Sequence, residues 1–214
     1  MYPPNGLRRV WLAAAPVAFL LWPAAVSAQV IATNSAASRL QDPQVTFQPG
    51  ELVGHERVLR EFVSFGTNEF MFVVPEGSRP ETVKGDFLVV KSRDATFYVS
   101  FRIAGPLPAE GDLQQRLKWR VAEQYPDARD MEAFSTTVLN RTGNGFSLKE
   151  GRSGVGSRFI KVLWVPSKAG ILEFTLNTDA KTVRGAELAF SSMLLTFRSN
   201  EHGKLEIVRR SERT

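Results

Sequence analysis

The sequence of 214 residues has no cysteine and only two histidines. Without cysteine there is no disulfide framework, no thiol nucleophile, no cysteine metal site and no acylated cysteine to tether the chain to a membrane. The scarcity of histidine excludes almost as much. His55, in "GELVGHERVL", would open a zinc-protease helix only with a second histidine at position 59, and that residue is Leu59. His202 lies near the C-terminal end, where a catalytic group is hard to hold in place. Phosphate loops are missing too: no Gly-Lys-Ser/Thr occurs, and neither "GNGFSL" nor "GVGSRF" completes a dinucleotide fingerprint. "GRSGV" puts Val155 where a nucleophile elbow closes with glycine, so Ser153 reads as a turn residue. Carboxylates such as Glu69, Asp86 and Glu173 are scattered singly. No catalytic residue, no metal and no cofactor is expected.

The one long apolar run, Val10 to Leu21, follows Arg8 and Arg9 and precedes "WPAAVSA". Val26 and Ala28 fit the small-residue rule for a cleavage site, so residues 1–28 read as a signal peptide and the mature chain starts at Gln29. The expected location is therefore secreted or periplasmic. The run is short for a bilayer span, and Pro16 and Pro23 interrupt it. An uncut leader, tethering the domain to the membrane, is the alternative. Loss of Arg8 and Arg9 takes the formal charge from +5 to +3. That is mildly basic, with no basic helix stripe and no interleaved aromatics, so nucleic acid is not an expected partner.

Residues 29–44 form a flexible linker, rich in Ala, Ser, Asn and Gln without periodicity. A single domain spans 45–198, and 199–214 is a charged tail. Within the domain, "RVLREFVSF", "EFMFVVP", "DFLVVKS" and "TFYVSFRI" read as strands. They are separated by "GTN", "EGSRPETVKG" and "RD", which carry turn residues. A helix follows: Asp112 caps it, Gln115 stands where a capping box needs it, and Leu113, Leu117 and Val121 repeat every four residues until Pro126. Trp119 falls about 200° from Leu117 and points away from that stripe. A second antiparallel set comprises "EAFSTTVLN", "GFSLKEG", "SRFIKVLWVP" and "GILEFTLNT", with "RTGNG" and "SKAG" as hairpin turns. In the last strand Leu172, Phe174 and Leu176 alternate with Glu173, Thr175 and Asn177, which predicts one buried and one wet face. A final helix runs from about Ala180 to Arg198, packing through Val183, Ala186, Phe190, Leu194 and Phe197. The fold class is α+β: a largely antiparallel β-sheet flanked by two main helices.

"FMFVVPEG", "GDFLVVKS" and "TFYVSFRI", then a helix, "GFSLKEGR", "SRFIKVLWVPSKAGILEFTLNT" and a last helix ending "SMLLTFR" resemble the PsbP-like family over about residues 58–198. The resemblance implies an antiparallel sheet sandwiched by helices. It also implies a non-enzymatic accessory protein. Ser78 and Arg79 follow "VVPEG" where the family pattern has an aromatic, and the lipid-anchoring cysteine of several bacterial members is absent. No metal or partner residue of the family maps onto a matching position.

The remaining signal is on the surface. Lys149, Arg152, Arg158, Lys161 and Lys168 against a lone Glu150 make 149–168 the most basic stretch of the domain. Alternation puts Arg158 and Trp164 on one side of their strand and Lys161 on the other. Trp164 reads as core, and Arg102 lies on the polar side of "TFYVSFRI". Arg102, Trp119, Arg152, Arg158 and Lys161 are the candidate partner- or ligand-binding residues. The chain thus reads as an exported binding or accessory protein that recognises an envelope protein or a small ligand. The alternative is a small secreted hydrolase whose site, including His55, forms only in three dimensions.

Overall fold

A computed structural model describes residues 43–53, 56–82, 86–108, 112–152, 156–202 and 205. The signal peptide, nearly all of the linker, His55, Ser153 and the last residues of the tail lie outside this description.

Among the described residues, eleven strands form two antiparallel sheets. The smaller sheet has the order β1-β2-β3-β11, from Gln44–Val53, Glu56–Phe65, Asn68–Val73 and Arg198–Ser199. The larger sheet has the order β4-β5-β6-β10-β9-β8-β7. Its strands are β4 (Ser78–Thr82), β5 (Leu88–Ser92), β6 (Phe97–Gly105), β7 (Ala128–Val138), β8 (Arg141–Arg152), β9 (Gly156–Ser167) and β10 (Gly170–Asp179). Helix α1 covers Leu113–Gln124 and helix α2 Val183–Thr196. The α+β class is as the sequence reads, with two sheets in place of one.

The main core lies between one face of the larger sheet, the smaller sheet and α2. Phe101 on β6, Phe174 on β10 and Phe197 at the end of α2 pack with ring centroids 4.9–5.0 Å apart. Phe70 of β3 joins them at 5.1 Å from Phe101. Such offset and edge-to-face contacts add to the area that each ring buries. A second core lies on the opposite face of the larger sheet, where Leu117 and Val121 of α1 meet Phe146, Leu148, Ile160, Val162 and Trp164. The α1 stripe read from the sequence is thus the packing face. Asp112 caps the helix by accepting a hydrogen bond from Gln114 N at 2.8 Å.

Four features differ from the sequence reading. First, residues 78–82, read as part of a turn, form β4 at the edge of the larger sheet, where Pro80 does not disrupt the sheet interior. Second, "RTGNG" is not a turn: Val138 pairs with Arg141, and the two-residue turn is Leu139-Asn140, both at positive φ (54° and 58°). Gly143 and Gly145 lie inside β8 because they are overlain closely. A Cβ on Gly143 would stand 2.9 Å from Leu163 and Val165, and one on Gly145 would overlap the Phe134 ring. Third, Ser199 pairs with Phe70, and Glu201 accepts from Arg141 Nη2 at 3.0 Å, so both belong to the fold rather than to a charged tail. Fourth, Glu173, Thr175 and Asn177 are buried, not wet.

Candidate functional site

The burial of Glu173, Thr175 and Asn177 defines the site. Register sets three rows across the α1 side of the larger sheet: Ser100–Thr175–Val162–Phe146, Arg102–Glu173–Trp164–Asn144 and Tyr98–Asn177–Ile160–Leu148. The first and third rows are polar on β6 and β10 and apolar on β9 and β8. Helix α1 packs on the apolar half. The polar half is closed by pairing among its own side chains.

Glu173 takes both its partners from neighbouring strands. Its Oε1 accepts from Arg102 Nε at 2.7 Å, with Arg102 Nη2 at 2.7 Å as well, and its Oε2 accepts from Trp164 Nε1 at 2.8 Å. With the carboxylate only 4% exposed, these bonds offset the desolvation of a buried charge. Arg102 also lies 3.8 Å from Asp86 and packs over the Phe87 ring at 4.5 Å.

Arg158 is held in the same way farther along β10. Its Nε donates to Asn177 Oδ1 at 3.0 Å, its Nη2 to the Tyr98 hydroxyl at 3.4 Å, and Glu150 stands 3.9 Å from its Nη1. Tyr125, the C-cap of α1, faces this group. Burial, aided by Tyr98, Glu173 and Glu150 and opposed by Arg158, pushes its phenol up to about 12. It therefore keeps its proton at neutral pH. Between the two arginine clusters lie Ser100 and Thr175, whose hydroxyls have no hydrogen-bond partner among the described residues. Among the described residues neither hydroxyl is bonded to a base, and both oxygens of Glu173 are engaged by Arg102 and Trp164.

Arg102 and Arg158 thus share one sheet face but are committed to internal partners. Trp119 is not: it stands 67% exposed on the outer side of α1. Lys161 is on the opposite sheet face, as alternation predicts, paired with Glu187 of α2 and lying 5.0 Å from the Phe134 ring centroid. Arg152 ends β8, paired with Gly156 through the backbone. Trp164 is core. Sequence reasoning missed Glu173, Asn177 and Tyr125 as members of the site. The signal that could have found Glu173 is its place opposite Arg102, visible only once β6 and β10 are in register.

Among the described residues, no three carboxylates or histidines gather where a metal ion could be held, and no helix is long and apolar enough to cross a membrane. No protein-family model matches the chain, and no curated protein matches it in sequence. Among solved structures, the PsbP-like resemblance is met again. The cyanobacterial PsbP of Synechocystis sp. PCC 6803 is similar at 15% identity and a TM-score of 0.44, over 70% of this chain and 97% of that one. LpqN of Mycobacterium tuberculosis, described as involved in cell envelope biogenesis, is similar at 11% identity and a TM-score of 0.40, over 77% of this chain and 96% of its own. Similarity at this level does not carry a role from either protein to this chain.

Proposed function

We propose that the chain is an exported binding protein of the cell envelope that recognises a protein partner through the outer face of α1. The observation that carries this reading is the exposure of Trp119. A tryptophan with 67% of its surface in water, on a helix whose other face is fully packed, forgoes burial that it gains when a partner covers it. The same helix carries Arg116, Lys118 and Arg120 against one acid, Glu123, which suits a partner with an acidic surface. The clusters around Arg102 and Arg158 lie on the same sheet face, beside the apolar half on which α1 packs, and their charges are spent on internal partners. The leader read in residues 1–28 supports the envelope location.

The test is a photo-crosslinking amino acid at position 119 in the native host, with position 161 on the opposite sheet face as the control. Expected is one reproducible envelope protein captured from 119 and not from 161. Equal capture from both positions, or none from 119, overturns the reading.

A further inference from the structure

Apart from the α1 face, a cleft of about 460 Å³ opens where β2 and β3 meet the β3–β4 turn and α2. That volume is in the range of small-molecule sites. Val58, Leu59, Val73 and Val74 give it an apolar wall, and Leu59 stays partly exposed there. Ser78 and Arg93 line it as well. Register and a backbone bond place these two together: Ser78 pairs with Ser92, and Arg93 N donates to Gly77 O at 2.8 Å.

Among the described residues neither polar group has a partner. Ser78 Oγ is buried without a hydrogen bond, and the Arg93 guanidinium has no ion pair or hydrogen bond among the described residues. A buried hydroxyl left unsatisfied carries a cost that a bound acceptor removes. A guanidinium lining the same cleft, without an ion pair among the described residues, selects an anionic acceptor. Glu76 lines the same cleft and repels a second negative charge. The apolar side extends outward: Ser192 of α2 lines the cleft, and Leu188 and Leu195, 67% and 72% exposed, share its stripe on the helix at spacings of four and three residues.

We propose that this cleft binds a singly charged amphiphile, a carboxylate with an alkyl chain, its head on Arg93 and Ser78 and its chain against Leu59, Val73 and Val74. Neither wall alone would specify this. An apolar cleft without Arg93 would take a neutral ligand, and Arg93 without the apolar wall would be a solvated surface charge.

Isothermal titration of the protein purified from its own host tests the assignment, with decanoate, decanol and decyl phosphate as probes. Decanoate is expected to bind saturably, at least tenfold more tightly than decanol and than decyl phosphate. Arg93→Glu is expected to weaken decanoate at least tenfold. Ser192→Trp, which fills the mouth from an exposed helix position, is expected to abolish binding with the melting temperature unchanged. Absence of saturable binding up to about 1 mM decanoate, or affinity left within twofold by both variants, overturns the proposal. Tighter binding of decyl phosphate overturns the singly charged head.

Discussion

Arg102 and Glu173 meet at 2.7 Å across the β6–β10 pair, and Trp164 Nε1 holds the other carboxylate oxygen at 2.8 Å. Arg102→Ala leaves a buried carboxylate with one partner, and a loss of about 3 kcal/mol or more in urea denaturation is expected. The double variant Arg102→Leu with Glu173→Leu should recover part of that loss, because neither charge is then stranded, although the Trp164 Nε1–H loses its acceptor. A loss for Arg102→Ala within the range of exposed pairs, below about 1 kcal/mol, would contradict this.

Glu61, on the core-facing side of β2 opposite Phe72 and Phe47, is fully buried, and neither carboxyl oxygen has a hydrogen-bond partner among the described residues. Burial pushes its carboxyl up to about 8. Between its ordinary value of 4.5 and about 8, the unfolded chain releases a proton that the folded chain keeps. Stability is therefore full below the unfolded value and falls as pH rises, by at most about 1.4 kcal/mol per unit, levelling off above the folded value. Glu61→Gln should flatten this slope in denaturation curves taken from pH 5 to pH 9. An identical slope in the variant would assign it to other groups.

Gly145→Ala puts a methyl group against the Phe134 ring and 2.7 Å from Val162 O. Overpacking of this kind is expected to lower stability by about 1–3 kcal/mol. Gly151→Ala, with nothing within 4 Å of its added Cβ, should change stability far less. Equal melting temperatures for the two variants would contradict the close strand contact.

Glu201 joins three parts of the chain, accepting from Arg141 Nη2 at 3.0 Å and from the backbone N–H of Lys168. Glu201→Ala is expected to cost about 1–3 kcal/mol, the range for hydrogen bonds to a charged group and for partners left unsatisfied. An unchanged denaturation midpoint would show that this segment unfolds apart from the domain.

The features legible in the sequence are those with strong periodicity. Leu117 and Val121 mark the buried face of α1, Trp119 points outward, and Arg158 and Lys161 fall on opposite sides of β9. Edge strands are harder. β1 carries Pro49 and Gly50 and β4 carries Pro80, residues that signal turns but are tolerated at a sheet edge. The turn at Leu139-Asn140 is hidden by the Asn-Gly pair at 144–145. There glycine serves close packing, whereas Leu139 holds a positive φ while its side chain is buried. Glu173 and Asn177 look solvent-facing because alternation reports polarity. Burial of that face depends on Arg102 and Arg158 arriving from other strands, which no local pattern encodes.

The most direct measurement is the affinity of the crosslinked envelope protein for the wild-type chain and for Trp119→Ala, by titration calorimetry. Trp119 is exposed, so the variant should keep its melting temperature while binding weakens at least tenfold, about 1.4 kcal/mol. Equal affinities for the two proteins would contradict recognition through the outer face of α1.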